Sequence, residues 1–355
     1  MNPLYVSGFA AISSAGMQAG ALAERVGAGQ AHAGVPVGSL YEQELPSPNG
    51  HALTDFDVKT HLGRKGTSFY DRATALAVVA CGEALRNAEI EVDDDSRARI
   101  GIALGTTLGS FKSTSDFSME TLIQPKPYLV NPVLFPNTVM NCAAGQAAIR
   151  YGLRGVNATI TGGPMAFLNA LRYAANAINR GYADTMLVGA VEEFTPHRAW
   201  MTSLSTPDSV PAGEAVSVFS VSTARRSPVA EILAVATGFG PGGEADEALA
   251  ACVRRALLQA EVDASAISLH ATTGDAESGP LQTILGHGPQ TLRATHFFGD
   301  CGAATGAIAL ATVLDLHQAD SARDGQLTLL TARTSDGAVG AAIVRGWSRG
   351  GADRS

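Results

Sequence analysis

Short apolar runs alternate along the chain with stretches of helical periodicity and glycine-rich turns, the grammar of an α/β protein. Leu4 to Ala11 predicts a first strand, ending in the loop Ser13-Ser14-Ala15-Gly16. Asp71 is placed to cap a helix through Leu76, Val79 and Leu85, and Ile100 to Leu104 reads as a buried strand closed by Gly105. Pro125, Pro127, Pro132 and Pro136 make Gln124 to Met140 an extended excursion, after which Asn141 caps a helix through Ile149. Ala158 to Thr161 predicts a strand, Gly162-Gly163 a turn, and Pro164 the first position of a helix, which proline favours. Phe167, Leu171, Ala174 and Ile178 then share one helix face until Gly181. Thr185 to Ala190 and Ala215 to Ser222 return as strands, with Pro228 marking a seam.

The second half repeats this grammar in shorter form. Val229 to Thr237 and Ile267 to Ala271 are predicted strands, with Ala250 to Glu261 a helix between them. Cys301 to His317 is a helix, and Leu327 to Thr331 pairs with Val339 to Val344 in a closing hairpin. No sequence repeat, low-complexity segment or long linker interrupts the pattern. The organisation expected is a first half over 1–224, a second over 225–347 and a loose tail over 348–355.

Composition narrows the function classes. With 46% apolar residues over 355 positions, the chain suits one large two-lobed domain or two domains sharing a core. Its formal charge of −8 argues against a nucleic-acid surface, which needs clustered Lys and Arg. No apolar run has the length of a membrane span, and the start lacks the basic region of a secretory signal, so a cytoplasmic location without membrane attachment is expected. Cys81, Cys142, Cys252 and Cys301 form no CxxC pair, and His287, His296 and His317 show no metal spacing. Gly238 to Gly243 is a lone Gly-x-Gly match with a proline inside it, better read as a turn than a phosphate cradle.

Several motifs together resemble the β-ketoacyl synthase family. Counting from Pro164, Ala170, Ala174, Ile178, Gly181 and Asp184 follow, then Gly189 and Glu192, as in the ladder after that family's Ala-Cys-x-Ser/Thr-Gly nucleophile segment. Val6-Ser7-Gly8-Phe9 with Gly16 resembles its opening strand and loop, and Gly105-Thr-Thr-Leu-Gly109 its Gly-Thr-Gly-x-Gly turn. Asn141 to Gly155 is similar to its Asn…Ala-Gly…Ala-Ile-x-Tyr-Gly-Leu-x-Gly run. His270 to Glu277 looks like a worn His-Gly-Thr-Gly-Thr…Asp…Glu, and Gly299 to Gly306 stands where the family has Gly-His-x-x-Gly-Ala-Ala-Gly. The resemblance implies a thiolase-like fold: two related halves in five αβαβα layers, dimerising through a central strand. It also implies condensation of an acyl thioester with a malonyl-carrier thioester, by a Cys, two His and a supporting Lys.

The departures bear on mechanism. Pro164 stands at the Cys position; it has no nucleophile and no N–H to lend to an oxyanion hole. Asp300 stands at the second His and Thr295 at the Lys. A carboxylate at 300 would repel a malonyl carboxylate, while a plain role as cap of the following helix is open to it. The Gly-Phe-Gly-Gly loop is replaced by Thr334-Ser335-Asp336-Gly337-Ala338, and His270 alone stands for the catalytic set. The resemblance is then to the chain-length factor, the Cys-less β subunit that pairs with an active ketosynthase α subunit in type II polyketide systems. Such a subunit needs no catalytic residue and no cofactor of its own; the phosphopantetheine belongs to the acyl carrier protein. The compressed stretch Pro207 to Gly213 makes the chain short for this family.

By the same analogy, the helix after the Gly-Thr-Thr turn and the proline-rich excursion face the subunit boundary. Ser113, Asp116 and Phe117 can share one face of that helix, and Phe135 and Met140 are candidates for the tunnel or interface. For each of them, plain packing is an equal reading. Exposed apolar surface on the isolated chain is expected to make it depend on its partner. The product is an aromatic or a polyene-type chain, the shortened region favouring the latter. Two alternatives stand beside this reading: acyl transfer through Cys142 or decarboxylation using His270, and a scaffold that only docks carrier proteins, for which Arg64-Lys65 is a small basic cluster. A buried core role is the commoner one for a Cys like Cys142, and a structural role for His270.

Overall fold

A computed structural model describes residues 3–29, 33–205, 210–286 and 288–352. His287 and residues 206–209, which include the start of the compressed stretch, lie outside the described residues. The first half runs β1 (Leu4–Ser13), α1 (Ala21–Gly27), β2 (Val35–Pro36), β3 (Asn49–Gly50), α2 (Val58–Leu62), α3 (Arg72–Asn87), β4 (Ile100–Gly105), α4 (Phe111–Ile123), α5 (Cys142–Tyr151), β5 (Asn157–Ile160), α6 (Ala166–Asn179), β6 (Thr185–Glu192), α7 (Pro196–Ser205) and β7 (Ala215–Ser222). The second runs β8 (Ala230–Phe239), α8 (Ala245–Ala260), β9 (Ile267–Thr272), α9 (Ser278–Leu285), β10 (Gln290–Arg293), α10 (Ala294–Phe298), α11 (Thr305–Ala319), β11 (Leu327–Arg333) and β12 (Ala338–Gly346).

The large strands follow the order β10-β9-β11-β12-β8-β1-β7-β6-β4-β5. Numbered within its own half, each set of five reads 3-2-4-5-1, so the halves share one topology. They meet where Leu4, Tyr5 and Val6 of β1 pair antiparallel with Ile232, Glu231 and Ala230 of β8. Helices α6 and α11 lie between the two sets of strands: Phe167, Leu171, Ala174 and Ile178 join Ile308, Leu310 and Leu314 in one central core. Helix α11 is buried nearly all round, as a helix covered on both sides must be. Helices α3 and α5 cover the outer face of the first set, α8 and α9 that of the second. These are the five αβαβα layers in two related halves that the resemblance implied.

Local chemistry explains most element ends. Asp71 accepts from the Thr74 N–H at 2.7 Å, as expected of the cap of α3. Asn141 precedes α5 but its side chain makes no capping bond; only its carbonyl accepts from Gly145. The proline-rich excursion contains a 3₁₀ segment, Pro132–Thr138, opened by Asn131 accepting from the Val133 N–H. Gly238 to Gly243 is a strand end running into a turn, with Gly242 at φ 62°. In the described part of the tail, 348–352, Ser348 bonds Asp324 through N–H and hydroxyl, and Arg225 donates to the Ala352 carbonyl at 2.8 Å.

Candidate functional site

Strands β4, β5 and β6 are parallel, so their carboxyl ends open on one side of the sheet, where sites of α/β proteins gather. Beyond β5 the chain turns through Gly162 (φ 138°) and Gly163 (φ 52°), both in the region that favours glycine. Pro164 follows in a 3₁₀ turn, Gly163–Met165, that leads into α6. The amino end of α6 presses so closely on β4 that a Cβ on Gly105 would lie 3.1 Å from Ala166 Cβ. The residue carried at this bend is Pro164, which has neither a side-chain nucleophile nor a backbone N–H.

The bend packs against a second turn, Gly302–Ala304, which begins after Asp300. Asp300 accepts from the Gly302 N–H at 2.8 Å, but the cap position of this turn is held by Cys301, one residue after the expected cap. Its carbonyl accepts from Arg198 of α7 at 2.6 Å and from the Gly213 N–H at 2.8 Å, and its carboxylate lies 3.4 Å from Arg198. Arg198, itself buried, also donates to the Gly213 carbonyl. Buried Glu192, the last residue of β6, accepts from Ala303 N–H at 3.1 Å and from Thr107 through N–H and hydroxyl. Burial pushes the Glu192 carboxyl up, while Arg198 and these donors pull it back. A Cβ on Gly302, at φ 49°, would lie 2.7 Å from Glu192 Oε2 and 2.9 Å from Thr107 Oγ1. Asp300, the residue expected at the second His position, is thus tied by its carbonyl and its partly exposed carboxylate to buried Arg198, beside buried Glu192.

His270 sits elsewhere. On β9 its neighbours Leu269 and Ala271 belong to the central core, so alternation turns His270 to the outer face, beneath Leu281 and Leu285 of α9. There its Nε2 pairs with Thr331 Oγ1 at 2.9 Å, and Thr331 in turn donates to Glu277. Burial lowers the imidazole to about 4 and lifts Glu277 to about 7. A neutral histidine on the far side of the strand from the Pro164 bend has no reach into the site. Thr295 lies in α10, where its carbonyl closes the helix on Gly299.

Cys142 begins α5 and is buried, with Sγ 3.4 Å from Asn137 Oδ1. Burial and the charge of Asp71 push its thiol up, so it stays protonated at neutral pH and is not an activated nucleophile. Among the described residues no group of His, Cys, Asp and Glu has metal-binding geometry.

The tunnel candidates separate into two groups. Ser113 and Asp116 line a pocket of about 430 Å³ between α4, the start of α3 and the 3₁₀ segment. Ser113 donates to Asp71 at 3.3 Å, and Asp116 pairs with Lys112. Phe117 lies against Phe135 with ring centres 5.8 Å apart, and Phe135 and Met140 are half exposed on the surface. Sequence reasoning missed Glu193, Arg198 and the pair formed by Arg72 with Glu214, whose oxygens lie 2.5 and 2.7 Å from the guanidinium. The available signal was two adjacent acids, Glu192-Glu193, closing an otherwise apolar strand.

Comparison with known proteins agrees with this geometry. Residues 2–208 match the family model for the β-ketoacyl synthase N-terminal domain. A solved structure described as the ishigamide ketosynthase/chain length factor is 31% identical, with TM-score 0.86 over 98% of this chain and 100% of that one. A β-ketoacyl synthase from Burkholderia phymatum STM815 shares the fold at 18% identity, with TM-score 0.83 over 98% of this chain and 100% of that one. The 3-oxoacyl-[acyl-carrier-protein] synthase 2 of Staphylococcus aureus (strain N315) is 29% identical over 147 residues, 41% of this chain. That match spans about a third of the relative's length, 35%. The shared topology of the halves, the bend after β5 and these matches make the chain a member of the β-ketoacyl synthase family.

Proposed function

We propose that this chain is a non-catalytic, ketosynthase-like subunit of the chain-length-factor kind. It pairs with an active ketosynthase and shapes the tunnel in which a polyketide chain grows on an acyl carrier protein. One observation carries the reading: the bend that should present a thiol presents Pro164. No acyl-enzyme forms at a residue without a nucleophile, and proline lends no N–H to a developing oxyanion. Asp300 is tied to Arg198, and His270 faces the other side of its strand. Carbon–carbon bond formation therefore belongs to the partner's thiol, and the phosphopantetheine arm to the carrier protein.

The surface supports a partner. Helix α4 buries none of its residues, although it carries Phe117, Met119, Leu122 and Ile123. Met119, Leu122 and Ile123 are exposed, as are Val133 and Phe135 of the 3₁₀ segment that packs against α4. Among the described residues β5 pairs only with β4, so it lies at the edge of the sheet. The solved relative at 31% identity is described as a ketosynthase/chain length factor, which gives the partner its chemical identity in this proposal. Among the described residues no helix is long and apolar enough to cross a membrane.

Co-expression with a ketosynthase that retains its Cys and both His, followed by size exclusion and product analysis, tests the reading. A stable heterodimer whose product lengths depend on this chain is expected. A stable monomer that ignores such ketosynthases contradicts it.

A further inference from the structure

Where the two halves join, a row of polar side chains crosses the seam. Tyr5 of β1 lies opposite Glu231 of β8, which lies opposite Arg345 of β12. Their neighbours Leu4, Val6, Ala230, Ile232 and Val344 belong to the central core, so alternation turns Tyr5, Glu231 and Arg345 to the outer face. Helices α3 and α8 cover that face to either side, and no helix residue lines the pocket of about 360 Å³ at the seam. Arg225, Gly325 and Trp347 complete its wall. Arg345 donates to Glu231 at 2.9 Å, which balances those two charges. Arg225 gives one N–H to the Ala352 carbonyl and, among the described residues, pairs with no carboxylate. Trp347 is 3% exposed, and among the described residues its indole N–H meets no acceptor.

These groups share one preference. A buried N–H without an acceptor costs free energy unless a ligand brings one. Two guanidiniums against one carboxylate leave the pocket with a balance of one positive charge. A singly charged anion matches that balance, whereas a phosphate dianion exceeds it and is repelled by Glu231. A carboxylate also meets a guanidinium through two parallel N–H···O bonds, and the rings of Tyr5 and Trp347 offer apolar contact to the body that carries it. We propose that this seam pocket binds a small monocarboxylate with an apolar body, held by Arg225 and by the indole N–H of Trp347. The bound anion touches strands of both halves and braces their junction. It needs no ketosynthase partner, so its test is separate from that of the chain-length reading.

The test titrates the full chain with sodium benzoate at constant ionic strength, with calorimetry giving the affinity. Trp200→Phe leaves Trp347 as the one tryptophan, and its fluorescence should change along the same saturation curve. Inorganic phosphate should bind at least about tenfold more weakly than benzoate. Arg225→Gln changes an exposed side chain, so the fold is kept, and it should weaken benzoate binding about tenfold or more, the loss expected for a hydrogen bond to a charged group. Trp347→Phe keeps a ring in the wall, removes the N–H, and should weaken binding by a similar factor. No saturation by about 10 mM benzoate overturns the proposal, as does saturation without a change in Trp347 fluorescence. Undiminished binding by Arg225→Gln overturns it equally, and phosphate bound as tightly as benzoate overturns the assignment to a carboxylate.

Discussion

Pro164 and Gly302 lie on facing turns and make opposite kinds of statement. Pro164 removes chemistry while preserving the bend, because φ near that of a helix start is what proline supplies. Restoring sulfur there should not restore condensation: with Asp300 and Thr295 in the family's other positions, a Pro164→Cys chain assayed alone with acyl and malonyl carrier thioesters is expected to release no condensed product. Gly302 is held by both backbone and neighbours. Gly302→Ala places a Cβ against Glu192 and Thr107 at a positive φ and should lower stability by about 2–4 kcal/mol in urea titrations. Arg198→Met leaves Glu192 buried without its cation and should cost about 3 kcal/mol in the same measurement. The sequence shows Pro164 at once, because a missing thiol in a recognisable ladder is a local fact. Arg198 is illegible there: its partners at 192, 213 and 300 are brought together only by the fold.

At the scale of elements, legibility follows burial. Strand β7 spans the predicted Ala215–Ser222, and α6 buries the predicted face, since core elements announce themselves through continuous apolar periodicity. Helices α7 and α9 and strand β10 escape notice because they are short and half exposed, with half their neighbours polar. Helix α8 begins at Ala245, earlier than the predicted Ala250, because its first turn is acidic and carries little periodic signal. Residue placement on a strand is subtler. A motif match brings His270 to the right strand, but the irregular register between Leu327 and Thr328 on β11 and their β9 partners decides which face it occupies. Helix α4 is the element on which the partner proposal rests. Replacing Leu122 and Phe135 by Asp should weaken heterodimer formation at least tenfold, about 1.4 kcal/mol or more, while leaving the circular dichroism spectrum of the isolated chain unchanged. Unaltered association would move the interface elsewhere.

The whole molecule couples its two halves through α6 and α11, and buried ionisable groups in both halves give it a pH signature. Burial raises Glu193 to about 8 and Glu277 to about 7, so the folded chain holds protons that the unfolded chain, with carboxyls near 4.5, has released. Stability from these groups is complete below about pH 4.5 and is lost as pH rises through 7 to 8. Burial lowers His270 and His317 to about 4, against 6.5 unfolded, and their contribution has the opposite sign, growing from pH 4 to 6.5. The two sets oppose each other in mild acid. Above pH 6.5 only the carboxyl loss remains, so thermal melts should show Tm falling between pH 6.5 and 8.5, with a shallower fall in Glu193→Gln. A flat profile over that window would mean that these acids are ionised in the folded chain. The central claim, that bond formation belongs to another subunit, is tested most directly by intact-protein mass spectrometry of the reconstituted pair during turnover with an isotopically labelled acyl carrier thioester. The predicted result is an acyl mass increment on the ketosynthase and none on this chain; an increment on this chain would contradict it.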